Sequence, residues 1–249
     1  MYQFFVEPEQ IQPAGKRVYI TGTDVNHIKN VLRMRPGEEI SVSNGADGKE
    51  YRCGILEMQE DVVICELRFI KESGTELPVQ VTLFQGLPKG DKMELIIQKA
   101  VELGVTAVVP VSTKRCVVKL DAKKAAAKVA RWQGISEAAA KQSKRGIVPR
   151  IGDVVSFSQA IDMASAMDVR LIPYEMAEGM AHTRTLLGQI RPGQSVAVFI
   201  GPEGGFAEEE IQMAGERSLS AITLGKRILR TETAGMTVLA WLSYLLEQE

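Results

Sequence analysis

In Ser195–Phe206, SVAVFIGPEGGF, an apolar strand runs directly into a glycine-rich loop. Glu208–Glu210 follow, and acidic residues are typical of the first turn of a helix. A strand, a loop and a helix in this order predict one unit of a parallel sheet, with the loop at the edge where such sheets bind ligands. The loop is neither a Walker loop nor GxGxxG. Its glutamates favour a neutral or cationic ligand over phosphate, and a simple tight turn is the alternative.

The same alternation extends from residue 79 to residue 249 and predicts an α/β domain with a parallel sheet. The predicted strands are Val79–Gln85, Val105–Val111, Val169–Pro173, Ser195–Ile200 and Ala221–Leu224. The predicted helices are Asp91–Leu103, Asp121–Ser143, Thr183–Ile190, Ala207–Arg217 and a last helix from about Glu232.

Residues 1–72 have a different pattern, with short β-branched and aromatic runs between turn signals. This predicts a small β-barrel domain interrupted by one helix, Thr23–Met34, with Thr23 or Asp24 as its cap. The predicted strands are Lys16–Thr21, Glu39–Ser43, Glu50–Leu56 and Val62–Ile70. The polar residues 73–78 are predicted to link the two domains.

Composition excludes several classes of protein. The 249 residues are 45% hydrophobic and 24% charged, as in ordinary globular proteins. Apolar runs are too short for a membrane span and the start lacks the pattern of a signal peptide, so we expect a cytoplasmic protein without a membrane partner. Three cysteines and two distant histidines predict neither a disulfide framework nor a metal site.

The charge distribution is more informative than the net charge of −1. Residues 114–150 contain eleven Lys or Arg and two acidic residues, a local charge of +9. Such a block favours binding to RNA or DNA, and a solvated lysine-rich helix is the alternative.

A second loop with residues suited to binding or catalysis is Leu224–Ala234, LGKRILRTETA. Arg227 and Arg230 cannot be neutralised by deprotonation, so they need anions, water or RNA as partners. Thr231 is placed to cap the last helix. That helix is apolar nearly all round, which favours packing against a second subunit over burial within one domain.

These motifs together resemble the 16S ribosomal RNA (uracil-N3) methyltransferase (RsmE) family of the SPOUT superfamily. The resemblance runs nearly end to end, and GPEGG followed by RILRTETA is its most specific part. Gln3 and Lys226 differ from the residues common in the family, Arg and Pro. The resembling segments are His27–Gly37, Gly86–Val105, Arg131–Arg145, Tyr174–Glu175, Ile200–Phe206 and Leu224–Ala234.

The resemblance implies a PUA-like RNA-binding barrel, a SPOUT domain with a deep trefoil knot, a homodimer and S-adenosylmethionine (SAM) as cofactor. It implies methylation of N3 of a uridine in 16S rRNA of the small ribosomal subunit. The expected cofactor contacts are Leu171, Ile172, Pro173, Ile200, Gly201, Pro202, Glu203, Gly204, Gly205, Leu224, Gly225, Arg227, Ile228, Leu229, Thr231 and Ala234.

On this basis we expect Arg230 to stabilise a uracil anion, and Glu232, ahead of Glu203, to accept the N3 proton. The expected RNA contacts are Arg33, Arg35, Lys89, Arg115, Lys141 and Arg145. Three alternatives remain at this point: a SPOUT enzyme for another RNA position, a non-catalytic ribosome-assembly protein, and an enzyme for small molecules.

Overall fold

The computed structural model describes residues 1–177 and 179–247. The chain forms two compact units: unit 1 comprises Met1–Glu76 and Ala140–Val148, and unit 2 comprises Leu77–Ala139 and Pro149–Glu249. Residues 178, 248 and 249 of the predicted second domain lie outside the described residues.

Unit 1 is built on a curled mixed sheet with strand order β1-β4-β5-β6-β3-β2. β1 and β4 pair in parallel, and the other neighbours are antiparallel. Alternate residues of these strands pack into one apolar core that includes the fully buried Phe4. The strands are β1 (Gln3–Phe5), β2 (Ile11–Gln12), β3 (Arg17–Thr21), β4 (Glu39–Ser43), β5 (Lys49–Met58) and β6 (Val62–Glu72).

The helix predicted at Thr23–Met34 is shorter and of mixed type. The α-helix α1 (Thr23–Asn26) continues as a π-helix, His27–Val31, and Arg33 follows with a left-handed φ of 53°. The predicted caps do not act: no side chain caps α1, and Asp24 pairs with Lys141 at 2.7 Å instead.

A segment distant in sequence, Ala140–Val148, completes unit 1. The alternating strands and helices predict that this segment belongs to the second domain. Its backbone is held by Ser43 Oγ, which donates to the Gly146 carbonyl at 2.9 Å, and by the amide of Gln3, which donates to the Arg145 carbonyl at 2.7 Å. Gln3 therefore has a structural role in this fold.

Unit 2 contains the predicted parallel sheet, in the order β10-β8-β7-β12-β11-β13 with β9 beside β8. All its pairs are parallel. At its centre Phe84 and Phe199 stack with ring centroids 4.5 Å apart. The strands are β7 (Gln80–Gly86), β8 (Ala107–Ser112), β9 (Arg150–Ile151), β10 (Val155–Ser156), β11 (Val169–Pro173), β12 (Ser195–Ile200) and β13 (Ser220–Ile222).

Most helices of unit 2 follow strands of the sheet as predicted, and α4 was not predicted. After edge strand β13 the chain returns to the middle of the sheet. There the last helix, α7 (Thr231–Leu246), packs against α2 (Lys92–Glu102) and β12. The helices are α2 (Lys92–Glu102), α3 (Ala122–Gln142), α4 (Phe157–Ala164), α5 (Met180–Gly188), α6 (Glu208–Glu216) and α7 (Thr231–Leu246).

Within the described ranges, no helix combines the length and apolar character needed to cross a membrane. The same ranges contain no cluster of His, Cys, Asp and Glu that would hold a metal ion. The three cysteines are free and buried. Burial raises the pKa of the Cys53 and Cys65 thiols to about 12, so both stay protonated and unreactive at neutral pH.

Candidate functional site

The candidate site is a cavity of about 870 Å³ at the carboxyl ends of the neighbouring strands β11, β12 and β13. Three loops meet there, as expected for ligand sites of parallel sheets. They contribute Pro173–Met176, Ile200–Phe206 and Thr223–Thr231, and Lys92, Arg115, Glu208 and Ala234 complete the lining.

All the expected cofactor contacts line this cavity except Leu171 and Ile172. These two belong to β11 and are 0% and 2% exposed. The strand therefore buries both side chains in the sheet, and Pro173 is its first residue to face the cavity. Arg230 lines the cavity, whereas Glu232 does not.

Glycines allow the first loop to fold tightly against itself. A Cβ at Gly201 would lie 3.1 Å from the Cα and carbonyl carbon of Gly205, closer than most real contacts. Gly205 has a φ of +66°, a conformation that favours glycine. Gly201 and Gly205 thus present backbone, instead of side chains, at the cavity wall.

The loop between β13 and α7 presents both polar backbone and an apolar side chain. Within residues 1–177 and 179–247, the amides of Arg227, Ile228 and Leu229 donate to no protein group. Ile228 is 89% exposed. Arg230 is also exposed and forms no ion pair with a described residue. The loop therefore offers donors and apolar surface to a ligand.

A buried hydrogen-bond chain joins the cavity loops to the sheet, and sequence reasoning missed its first member. Gln85 is 0% exposed, and its Nε2 donates to Thr231 Oγ1 at 2.9 Å. Thr231 Oγ1 in turn donates to the Gly201 carbonyl at 2.6 Å. The prediction that Thr231 caps α7 is wrong, because its hydroxyl is committed to this chain and Arg230 occupies the cap position without a side-chain bond.

A second missed residue, Lys92, organises the acidic groups. Its Nζ lies 3.0 Å from Glu203 Oε1 and 3.4 Å from Glu232 Oε2. Glu203 lines the cavity, whereas Oε2 of Glu232 is buried and faces Lys92 Nζ. The geometry therefore brings Glu203 to the cavity and leaves Glu232 as a partner of Lys92.

The surroundings of Glu203 favour its ionised form. Partial burial opposes ionisation, but the Glu203 amide, the Lys92 ammonium and the Lys89 amide outweigh it and lower the pKa of the carboxyl group. The Lys89 amide donates to Glu203 Oε1 at 3.1 Å. The hydrogen bond to Glu203 raises the pKa of Lys92 in return.

The acidic start of α6 has a structural role in positioning Arg115. Glu210 is buried and accepts from the amides of Lys114 and Ala207, both at 2.8 Å. The guanidinium of Arg115 then donates to the Gly204 carbonyl at 3.1 Å. Arg115, expected at RNA, thus stands on the cavity wall while remaining exposed.

The other expected RNA contacts fall into two groups. Arg33, Arg35 and Lys89 are exposed. Arg145 is 2% exposed, and its guanidinium and two neighbouring amides bind Glu76. Lys141 pairs with Asp24 and lies 4.7 Å from the centre of the Phe4 ring. Arg145 therefore cannot reach RNA in this fold, and we assign both residues to the stability of unit 1.

Comparison with known proteins agrees with this geometry. Residues 75–243 match the family model of an RNA methyltransferase domain, and residues 20–68 match that of an RNA methyltransferase PUA domain. The chain is 39% identical to the ribosomal RNA small subunit methyltransferase E of Bacillus subtilis, over 99% of this chain and 98% of that protein. This chain belongs to the ribosomal RNA small subunit methyltransferase E family.

Two solved structures of similar proteins contain the cofactor. The family member from Neisseria gonorrhoeae, bound to S-adenosyl methionine, is 38% identical with a TM-score of 0.81 over 96% of both chains. A methyltransferase from Legionella pneumophila, in complex with SAM, is 33% identical with a TM-score of 0.83 over 97% of this chain and 96% of that chain. Members of this RNA methyltransferase family thus share the whole fold described above.

Proposed function

We propose that this RNA methyltransferase transfers a methyl group from SAM to N3 of one uridine in 16S rRNA of the small ribosomal subunit. The observation that carries the proposal is the cavity built by the GPEGG loop and the RILRT loop, with Arg230 on its wall. Family membership supplies the substrate class, and the SAM-bound relatives supply the cofactor.

The residues of the cavity fit SAM. Its volume lies within the range of about 300–1,000 Å³ typical of cofactor sites. The unpaired amides of Arg227–Leu229 suit the edge of an adenine, and Ile228 supplies apolar contact. Both cations and carboxylates line the cavity, and the amino-acid end of SAM carries both signs of charge. We place SAM against the three loops, and it supplies an electrophilic methyl group when bound.

Arg230 is the proposed stabiliser of the reacting base. Uracil N3 carries a proton at neutral pH and becomes a good nucleophile only when that proton leaves. The negative charge then spreads to O2 and O4, where a permanently charged guanidinium lowers its energy. Arg230 is exposed at the cavity and free of ion pairs with described residues, so its charge is available for this purpose.

Glu203 is better placed than Glu232 to accept the N3 proton. Glu203 lines the cavity, whereas Glu232 does not. Glu232 pairs with Lys92 beside the cavity, where it helps to set the position of Lys92. In this proposal Lys92 is a positioning residue that holds the Glu203 carboxylate.

RNA must present the uridine with its Watson–Crick edge free, because N3 lies on that edge. We propose that Lys89 and Arg115 of unit 2 contact phosphates near the cavity, and that Arg33 and Arg35 contact RNA from a PUA-like barrel formed by unit 1. All four are exposed. A small-subunit substrate would place the reaction in the cytoplasm.

We further propose that unit 2 carries the trefoil knot of the SPOUT superfamily and forms a homodimer. The return of the chain from β13 to α7 at the middle of the sheet supports the knot.

For the dimer, the support is the outer face of α7, where Tyr244 is 85% and Leu245 is 48% exposed. Light scattering of the Tyr244→Asp variant should show monomers where the unchanged chain shows dimers.

The reaction is tested with radiolabelled SAM and small subunits that lack the modification, followed by digestion and identification of the labelled nucleoside. Label in 3-methyluridine is the expected result. Label in another nucleoside would contradict the N3 assignment. If neither label nor SAM binding is found, the chain is a non-catalytic RNA-binding protein and the proposal is wrong.

A further inference from the structure

Unit 2 contains a second, smaller cavity of about 240 Å³ that the proposed reaction does not use. The start of α2 takes part in both cavities. Lys92 lines the large cavity, whereas Asp91 and Met93 on either side of it line the small one. The small cavity therefore lies next to the proposed active site.

Its chemistry combines an apolar floor with two charged groups. The floor is formed by Leu87, Met93 and Trp132, which are 2–3% exposed. Asp91 and Lys128 also line the cavity, and Lys128 Nζ lies 5.7 Å from the centre of the Trp132 ring. A planar ligand with apolar faces and a polar edge matches this combination.

We propose that the small cavity binds one nucleobase of the RNA substrate, other than the methylated uracil. The inference rests on the proposed function, because it assumes that RNA lies at the adjoining cavity. The cavity is smaller than the ~300 Å³ lower limit of cofactor pockets, which suits a single base. Asp91 disfavours a phosphate but accepts hydrogen bonds from a base, and Lys128 donates to its carbonyl or ring nitrogen atoms.

The surrounding charge supports RNA as the partner. Lys128 belongs to α3, whose first turns also carry the exposed Lys123 and Lys124, and Lys119 precedes them. These cations attract the phosphate backbone without sequence preference. The cavity then captures a base beside that backbone, in the way that aromatic and apolar pockets hold splayed RNA bases.

Two pairs of variants distinguish base binding in the cavity from nonspecific electrostatic attraction of the RNA backbone. Val118 lines the cavity and Val117 beside it is 67% exposed, so Val118→Trp fills the cavity whereas Val117→Trp does not. Lys128→Met removes the lining cation, and Lys123→Met removes an exposed one from the same helix. Each variant is assayed as the full chain for methyl transfer to unmodified small subunits, with SAM affinity and melting temperature as folding controls.

We expect Val118→Trp to raise KM for the subunit about tenfold, the scale of one lost base contact. Its kcat, its SAM affinity and the salt dependence of its KM should match those of Val117→Trp. Lys128→Met should raise KM more than Lys123→Met. Equal KM values within each pair, with methyl transfer intact, would overturn the base site and leave the proposed function standing. Absence of methyl transfer by the unchanged chain would overturn the proposed function, and with it this inference.

Discussion

Two pairs of basic residues, one pair in each unit of this protein, have opposite surroundings. In unit 1, Arg145 is buried against Glu76, and Lys141 is held by Asp24 and the Phe4 ring. In unit 2, Arg227 and Arg230 stand exposed on the cavity loop without ion pairs to described residues. A cation that is already satisfied by protein groups stabilises the fold, whereas an unsatisfied one is available to a ligand.

This difference shows why a charge count is a poor guide to function. The +9 block of residues 114–150 indicates RNA as a partner, yet its carboxyl-terminal part builds unit 1. Arg227 and Arg230 of the cavity loop lie outside the block, whereas Arg115 on the cavity wall lies within it. Burial and hydrogen-bond partners separate the two roles, and both depend on contacts distant in sequence.

Arg145→Met should destabilise unit 1 strongly. The substitution leaves the partly buried Glu76 carboxylate without its guanidinium partner, and removal of one partner of a buried pair costs about 3–5 kcal/mol. Peptide-resolved hydrogen exchange should show lost protection in β1, β4 and residues 140–148. Arg35→Met, an exposed cation of the same unit, should change the free energy of unfolding by less than about 0.5 kcal/mol. Equal effects of the two substitutions would contradict the structural role of Arg145.

A smaller effect is expected for Gln85→Leu in unit 2. The substitution removes the hydrogen bonds from Gln85 to Gly86 and Thr231, each worth roughly 0.5–1.5 kcal/mol, and loosens both cavity loops. Calorimetry should show SAM affinity weakened about tenfold. The matched control is Gln80→Leu at the exposed start of the same strand, for which unchanged affinity is expected. If both variants bind SAM as tightly as the unchanged protein, the buried hydrogen bonds of Gln85 do not position the loops.

The smallest effect concerns pH and Lys92→Met. A carboxylate accepts a proton only when ionised, and Lys92 helps to lower the pKa of Glu203. Glu203 therefore stays ionised to lower pH than an ordinary glutamate, and loss of Lys92 raises its pKa again. In the pH profile of the single-turnover rate, the acidic limb should move to higher pH. The rate at neutral pH should fall only a few-fold. Lys99→Met, on the same helix but paired with Glu102, should leave the limb in place. An unmoved limb in Lys92→Met would exclude Glu203 as the proton acceptor.

Much of unit 2 follows from sequence, because its central strands β7 and β12 are apolar runs that end at or just before a glycine. The cavity loops Ile200–Phe206 and Leu224–Ala234 were predicted for this reason. Gln85 carried a readable signal, a polar residue directly before Gly86 at the end of an apolar strand. For α4, the signal was Ser156 followed by Gln159, which form a capping box in the structure. Both signals were missed.

Other features depend on distant contacts and had no local signature. Nothing in residues 140–148 indicates that Gly146 will meet Ser43, 103 positions away. The burial of Arg145 depends on Glu76, 69 positions away, so its sequence neighbourhood still resembles a basic RNA-binding helix. Thr231 has the sequence position of a helix cap, but the approach of Gly201 and Gln85 gives its hydroxyl other partners.

The most direct test of the account is one paired measurement on Arg230→Ala. The single-turnover rate of methyl transfer to unmodified small subunits is measured together with the dissociation constant for SAM on the same sample. If Arg230 stabilises the reacting base, the rate should fall about 100-fold or more while SAM affinity stays within about twofold. An equal loss of rate and affinity would make Arg230 a cofactor-binding residue, and an unchanged rate would contradict its role altogether.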